Sequence, residues 1–170
     1  MGRAEVKETT SIKFDDSYAY AVAFSADGKY LVAGLANGEV RRYTVGDWKL
    51  VSTYKAAANV NILTVHPDQR RVVAGGGGGK VFIVDAKGTQ AKELKGHKAS
   101  VYAADFHPAG KYLVTGSYDR TVRLWDVDMG VCTLILHGFE DEVFTVSFFD
   151  NGNKLLITES EGTTHIINIL

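Results

Sequence analysis

A hydroxyl, an imidazole and a carboxylate occur close together in the second half of the chain, at Thr115, His97 and Asp119. Side chains of these types act as nucleophile, base and orienting acid in many hydrolases. The same groups can instead form a closed set of hydrogen bonds inside a fold, which leaves few buried polar atoms unpaired. The sequence therefore offers a catalytic and a structural interpretation, and the elements that position these residues must decide between them.

Five consecutive glycines, Gly75–Gly79, suggest a phosphate-binding loop. Such a loop needs a lysine followed by serine or threonine, and a helix whose N-terminus faces the phosphate. The sequence predicts neither, so we expect a turn between two strands. Cys132 lies in an apolar strand pattern, where packing is expected, and His66 and His107 each precede a proline, as turn residues often do. We find no ligand set with the spacing of a metal site and predict no metal or other cofactor.

The composition limits the classes of partner. The 170 residues carry a formal net charge of -1, and a single cysteine rules out a disulfide within the chain. Basic residues occur in short pairs such as Arg41–Arg42, so we expect no direct nucleic-acid binding. No apolar stretch approaches the length of a membrane span, and the first fourteen residues lack the apolar segment of a secretory signal. We predict a protein of the cytoplasm or nucleus that has no membrane association.

The strongest pattern is a repeat of about forty residues, a length typical of propeller blades, which occurs four times. The stretch GKYLVTGSYDRTVRLWDV, residues 110–127, aligns without gaps with segments that begin at residues 28, 69 and 152. Three aligned positions recur at steps of 41, 41 and 42 residues. They are occupied by Asn37, Gly78, Asp119 and Glu161; by Tyr43, Val84, Trp125 and Ile167; and by Phe24, Val65, Phe106 and Phe148.

Each copy predicts β-strands, because short apolar or alternating runs such as YAVAF and TVRLWDV are separated by turn residues. No helical period persists. We predict an all-β chain with a single domain, residues 1–170, made of four four-stranded antiparallel blades of a β-propeller. The fourth copy lacks its own last strand, and we expect a strand at residues 9–14 to complete it. The predicted blades span about residues 16–55, 56–95, 96–136 and 137–170.

The third copy resembles the WD-repeat β-propeller family, because it carries Gly96–His97, the turn Ser117–Asp119 and the pair Trp125–Asp126. The resemblance implies a structural tetrad in which aspartate holds histidine, histidine bonds a strand hydroxyl, and the hydroxyl reaches the indole N–H. It favours the structural interpretation and predicts that the protein is not an enzyme. The other copies lack the histidine and tryptophan, so we expect packing to hold their blades. The tetrad residues are His97, Thr115, Asp119 and Trp125.

The resemblance also implies a partner-binding surface on the top face of the blades. In the family, one position early in each first strand and the residue before the tetrad aspartate line the mouth of the central channel. These positions are rich in aromatic residues here, and aromatic side chains near the centre of a face are favourable contact anchors. Alternatively, some of the rings fill the channel. The predicted partner-binding residues are Tyr20, Asn61, Tyr102, Tyr118 and Phe144.

Propellers of this family usually have seven or eight blades, so four blades imply a half ring or a small propeller. We expect a homodimer that forms an eight-bladed ring, a partner that supplies the missing blades, or a chain that is part of a longer protein. The resemblance implies a non-catalytic scaffold for protein–protein interactions in a multisubunit complex. The alternative function is a peptide reader, for example of a modified histone tail, in which aromatic rings surround a cation.

Overall fold

The computed structural model describes residues 10–56, 59–85 and 87–169, which form four antiparallel sheets. Three sheets have four strands and the last has three, and in each the strands pair in chain order. The first sheet contains β1 (Ala19–Phe24), β2 (Tyr30–Leu35), β3 (Glu39–Thr44) and β4 (Leu50–Lys55). The second contains β5 (Val60–Val65), β6 (Arg71–Gly76), β7 (Val81–Asp85) and β8 (Ala91–Glu93). The third contains β9 (Val101–Phe106), β10 (Tyr112–Ser117), β11 (Val122–Asp126) and β12 (Val131–Leu136). The fourth contains β13 (Val143–Phe149), β14 (Lys154–Glu159) and β15 (Thr164–Asn168).

The prediction of an all-β chain built from propeller blades is confirmed, since each sheet corresponds to one copy of the repeat. The turn after each first strand places a residue in the left-handed region at the same aligned position. Three of these residues are glycines, and Gln69 (φ 62°) takes the position in the second sheet. Within the described ranges, helix is limited to the two three-residue turns Gly77–Gly79 and Asp150–Gly152, and no helix there is long and apolar enough to cross a membrane.

Apolar side chains between neighbouring sheets form the core. Val32 and Val40 of the first sheet pack against Val60 and Val72 of the second. Two larger clusters fill the next two interfaces, between the second and third sheets and between the third and fourth. The second and third sheets are thus packed on both faces, and the four sheets form a row. In this row, the first strand of each sheet lies beside the first strand of the next sheet.

The inner strands of all four sheets line one open cavity of about 450 Å³. The sheets at the two ends of the row each have a face that no other described sheet covers. On the first sheet, Val22 is 61% exposed and Phe24 is 58% exposed. On the fourth sheet, Ile166 is 67% exposed. The four sheets therefore form part of a ring around a channel.

Residues 10–14 do not form the predicted strand. They lie beside the uncovered face of the first sheet, where the Phe14 ring meets Tyr43 edge-on at 6.1 Å. A strand requires a neighbouring strand to accept and donate backbone hydrogen bonds, and none of the described strands is paired with the segment. Thr9 lies outside the described residues. Completion of the fourth sheet by this segment stays a prediction.

Candidate protein-interaction surface

The third sheet brings the four tetrad residues into contact. His97, in the loop before β9, donates from Nδ1 to Asp119 Oδ2 at 2.9 Å. Its Nε2 lies 2.7 Å from Thr115 Oγ1, and the Trp125 indole N–H donates to that oxygen at 2.8 Å. Since the Nδ1 proton goes to the carboxylate, Nε2 accepts the hydrogen of the threonine hydroxyl. One chain of hydrogen bonds thus runs from the indole through the hydroxyl and the imidazole to the carboxylate.

The tetrad is closed to solvent. The His97 side chain is fully buried, and Thr115 and Trp125 are at most 1% exposed. A catalytic nucleophile or base must reach a substrate atom, so this burial supports the structural interpretation. Burial by itself raises the pKa of Asp119, but hydrogen bonds from His97, Thr121 and the Lys98 backbone N–H hold that pKa well below its usual value. The ionised carboxylate ties the loop before β9 to the turn after β10.

A β-bulge occurs at the same point in the first strand of every sheet. In β1, Ala19 pairs with Leu35 and Ala21 with Gly34, which leaves Tyr20 as the extra residue. The registers of the other three sheets leave Asn61, Tyr102 and Phe144 in the same way. Bulges re-aim side chains and are frequent beside binding sites. Here they direct the four predicted top-face positions to one cavity, whose lining includes Tyr20, Asn61, Tyr102 and Phe144.

Three of the predicted residues form a stack of aromatic rings. The Tyr102 and Tyr118 centroids lie 4.3 Å apart with an interplanar angle of 22°. Phe144, on the next sheet, lies 6.0 Å from Tyr102 at 9°. Tyr118 is 37% exposed and Phe144 is 49% exposed, so large parts of both rings face solvent. We call Tyr102, Tyr118 and Phe144 the ring stack.

The structure places Tyr20 and Asn61 on the same cavity wall but outside the ring stack. Tyr20 is 58% exposed. The side-chain oxygen Oδ1 of Asn61 accepts a hydrogen bond from Asn59 Nδ2 at 2.6 Å. The side-chain nitrogen Nδ2 of Asn61 is buried and has no hydrogen-bond partner among the described residues. The Asn61 side chain therefore lines the cavity in a position that the hydrogen bond from Asn59 holds.

Negative charge lies next to the ring stack. Burial raises the pKa of Tyr118, and the neighbouring Tyr102 and the Glu142 carboxylate raise it further. Glu142 accepts a hydrogen bond from the Ser160 hydroxyl at 3.0 Å. The loops at this end of the fourth sheet, residues 137–142 and 160–163, contain no lysine or arginine. Their acidic residues are Glu140, Asp141, Glu142 and Glu161.

Two stretches of the chain, residues 7–43 and 88–126, match the family described as WD domain, G-beta repeat. The second stretch contains all four residues of the hydrogen-bonded chain between Trp125 and Asp119. The chain belongs to the WD-repeat family.

Several curated WD-repeat relatives match much of the chain. Periodic tryptophan protein 2 of Arabidopsis thaliana is 32% identical over 146 residues, which cover 84% of this chain and 16% of that protein. Serine-threonine kinase receptor-associated protein of Dictyostelium discoideum is 32% identical over 106 residues, 62% of this chain and 36% of that protein. The Homo sapiens protein of the same name is 27% identical over 128 residues, 75% of this chain and 36% of that protein. The chain spans between 16% and 36% of the length of these relatives.

Two WD-repeat blades without a tetrad contain buried or half-buried polar contacts in addition to their packed apolar residues. In the fourth sheet, Glu159 is 3% exposed and lies 2.5 Å from His165 Nε2. In the first sheet, Arg41 pairs with Glu39 at 2.6 Å and with Asp16 at 2.5 Å. None of these residues lies at an aligned tetrad position, so alignment to the third copy gave no signal for them.

The histidines that precede prolines are more than turn residues. His66 is 5% exposed and its Nε2–H donates to the Gly110 carbonyl of the next sheet at 2.8 Å. The His107 ring lies against Gly152 of the fourth sheet. Both imidazoles fill the space between WD-repeat blades, and sequence reasoning missed this role. Two glycines gave a signal for it in the sequence. Gly110 lies three residues after the position that aligns with His66, and Gly152 lies three residues after the position that aligns with His107.

The remaining sequence candidates take structural positions. Gly75 and Gly76 end β6, and Gly77–Gly79 form the 3-10 turn that leads to β7. Cys132 is half-buried on β12 and contacts the core between the second and third sheets. Among the residues that the structure describes, no three histidine, cysteine or acidic side chains are grouped as metal ligands.

Proposed function

We propose that this WD-repeat chain is a non-catalytic scaffold that mediates protein–protein interactions in a multisubunit complex of the cytoplasm or nucleus. The single observation that carries the proposal is the ring stack, of which Tyr102 and Phe144 line the cavity and Tyr118 and Phe144 are partly exposed. Tyrosine-rich clusters near the centre of a face supply large contact areas, and such residues dominate the binding energy of protein interfaces.

Burial of the tetrad also supports a scaffold rather than an enzyme. Its hydroxyl, imidazole and carboxylate bond to one another beneath the surface. The exposed groups at the top end include aromatic rings, the Glu142 carboxylate and the basic residues Lys98 and Arg120, and such a surface suits binding to a protein partner. The bulges fix the direction of the rings through the sheet backbone, so the surface is preorganised and loses little side-chain entropy on binding.

The test compares partner capture by the wild-type chain with capture by Tyr102→Ala and Phe144→Ala. We expect each variant to lose the bound protein at least about tenfold, which corresponds to about 1.4 kcal/mol. Met129→Ala serves as the control, because Met129 is 70% exposed on the turn at the opposite end of the third sheet. Melting curves should show folded variants. Equal recovery of the same proteins with all four chains would contradict the proposed surface.

The second candidate function is a reader of basic peptides, with a modified histone tail as one example. The parallel orientation of the rings favours it in a particular form. A methylated ammonium group is best held by rings that meet at an angle, whereas parallel rings offer one flat face on which a planar guanidinium stacks. The acidic loops around Glu142 would pair with the charge of that guanidinium.

Fluorescence anisotropy with four matched peptides tests this second function. The peptides carry arginine, lysine, trimethyl-lysine or citrulline at one position. Binding of the arginine peptide alone, weakened by Glu142→Gln, is the expected result for a reader. Equal binding of all four, or of none, would contradict the reader and leave the scaffold proposal to its own test.

The uncovered faces of the terminal blades belong to the same scaffold proposal. A second copy of the chain forms an eight-bladed ring with the first, a partner supplies the missing blades, or the chain is part of a longer protein that contains them. The top surface and the terminal faces are separate regions of the molecule, so their experiments can fail independently.

A further inference from the structure

Neighbouring sheets meet through contacts that repeat along the row, and each such contact is called a seam here. At the first seam, a Cβ built on Gly34 would lie 2.5 Å from Val60 Cγ1 of the next sheet. At the third seam, a Cβ on Gly116 would lie 2.5 Å from Val143 Cγ1. A side chain cannot fit at these distances in a close-packed interior. These seams therefore pair glycine on one sheet with valine on the next.

A second repeated contact places an imidazole over a glycine. At the second seam, a Cβ on Gly110 would lie 2.8 Å from the His66 ring. At the third seam, a Cβ on Gly152 would lie 2.0 Å from His107 Nε2. Both glycines lie in the turn after the first strand of their sheet, with φ of 76° and 91°. The ring of one sheet thus fills the space above the turn of the next.

The same imidazoles also meet a phenylalanine of the next sheet edge-on. The ring centroids of His66 and Phe106 lie 4.7 Å apart at 80°. Those of His107 and Phe148 lie 5.2 Å apart at 81°. Edge-to-face pairs are a preferred aromatic arrangement. The second and third seams therefore share one pattern, in which a ring contacts both a glycine and a phenylalanine.

On the two uncovered faces, the larger residue stands at the glycine position and the smaller residue stands at the valine position. Thr158 stands at the aligned position that is glycine in the other three sheets. Ala19 stands at the position that is valine in the other three sheets. A valine opposite Thr158 would meet a side chain where the first and third seams leave no room for one. At the second seam the aligned Gly75 lies nearest to Ile62 of its own sheet. The alanine of the first sheet provides that room, so the two uncovered faces fit each other.

The ring pattern is also present on the two uncovered faces. Phe149 of the fourth sheet takes the aligned position of the two histidines and is 37% exposed. The histidines contact a glycine and a phenylalanine of the next sheet, and Gly28 and Phe24 of the first sheet stand at the aligned positions of that glycine and that phenylalanine. A Cβ on Gly28 would have no atom within 4 Å. Phe24 is 58% exposed, whereas Phe106 at the same position of the third sheet is 6% exposed.

We infer that the first sheet of one copy of this chain docks on the fourth sheet of a second copy, with Ala19 against Thr158 and Phe149 over Gly28 and Phe24. The occupant of both faces is a second copy, because each face carries the residues that fit the other one. This inference goes beyond the top surface and does not depend on it.

Residues 10–14 fit the same arrangement. Within the chain, Leu94 follows the outer strand of the second sheet and belongs to the same core cluster as Trp125 of the third. Phe14 meets Tyr43, at the position aligned with Trp125, edge-on in the first sheet. The segment therefore lies where the outer strand of a preceding sheet belongs, and docking would bring it beside the free edge of β15 of the second copy.

A cysteine pair tests the seam directly, in a chain that also carries Cys132→Ser. The Gly34 Cβ would lie 3.0 Å from Val60 Cβ, close to the 3.5–4.5 Å that a disulfide requires. Ala19→Cys combined with Thr158→Cys should therefore form disulfide-linked dimers on oxidation, and reduction should release single chains. Each cysteine alone should leave the chain unlinked. Dimers formed by either single variant would indicate like-to-like contact and overturn the head-to-tail seam.

Light scattering on the unmodified chain provides the second measurement. We expect twice the mass of one chain at high micromolar concentration. Phe149→Asp should weaken self-association at least about tenfold, the effect of losing one central aromatic contact. The exposed control Met129→Asp should leave it unchanged. A single-chain mass at high micromolar concentration, together with no linkage of the double cysteine variant, would overturn the inference.

Discussion

The third and fourth sheets each contain a carboxylate that contacts an imidazole at the same end of the blade. The two sheets differ in the elements that supply these groups. In the third sheet, the turn supplies Asp119 and the preceding loop supplies His97. In the fourth sheet, the end of β14 supplies Glu159 and β15 supplies His165. Each carboxylate also accepts a backbone N–H from the loop before the first strand, at 2.8 Å and 2.6 Å.

The comparison shows that the repeat preserves a physical task rather than a set of residues. The loop before each first strand needs an anchor, and an ionised acceptor at the top of the sheet provides one. The two anchors differ in their closure to solvent. The His97 side chain is fully buried, whereas that of His165 is 36% exposed. Loss of the carboxylate should therefore be more harmful in the third sheet, where water cannot replace it.

The largest expected effect is that of Asp119→Ala. Removal of the carboxylate leaves His97 Nδ1 and the Lys98 N–H without their acceptor. An unsatisfied buried polar group lowers the free energy of unfolding by about 1–3 kcal/mol. Urea denaturation of the wild-type and variant chains measures the difference. Glu161→Ala, at the aligned and exposed position of the fourth sheet, is the matched control, and equal losses would show that the third sheet has no special network.

The next effect is on the response to acid. Hydrogen bonds lower the pKa of Asp119 against the effect of burial, and the bond from His165 is the main cause that lowers the pKa of Glu159. A lowered pKa in the folded state adds stability above the unfolded value of about 4, and this stability is lost as the pH falls. Asp119→Asn and Glu159→Gln should each lose less stability between pH 7 and pH 3 than the wild type does.

The same acid series compares the two sheets. Asp119→Asn should flatten the curve more than Glu159→Gln, because His165 is partly exposed. Melting temperatures at each pH provide the measurement. Curves that run parallel to the wild type would show that the pKa of neither carboxylate is lower in the folded chain than in the unfolded chain.

The smallest expected effect is that of Asn37→Ala, at the aligned aspartate position of the first sheet. Asn37 Oδ1 accepts one hydrogen bond, from the Glu39 N–H at 3.0 Å. Both residues are half-buried, so water can replace the lost acceptor, and the free energy of unfolding should fall by less than about 1 kcal/mol. Urea midpoints for Asn37→Ala and Asp119→Ala should differ clearly. A loss as large as that of Asp119→Ala would assign the first sheet a network of its own.

Prediction from the sequence succeeded where local spacing carries the information. The repeat register predicted the four sheets. The four residues that the resemblance of the third copy named form one chain of hydrogen bonds in the structure. At residues 10–14 the chain by itself shows no strand, because an apolar, alternating segment forms a strand only beside another strand, and completion of the fourth sheet stays a prediction. Prediction from the sequence missed the roles of His66 and His107, which depend on contact with glycines of the following sheet.

The sequence by itself determined the class of fold, the number of repeats, their strand pattern and the aligned positions from which Tyr20, Asn61, Tyr102 and Phe144 were chosen, because side-chain alternation and turn residues act over short distances. The tertiary structure alone decided which positions meet. The parallel stacking of Tyr102 with Tyr118 and Phe144 depends on a bulge in each of two sheets and on the packing between those sheets. The contact between Glu159 and His165 likewise depends on the register in which β14 pairs with β15.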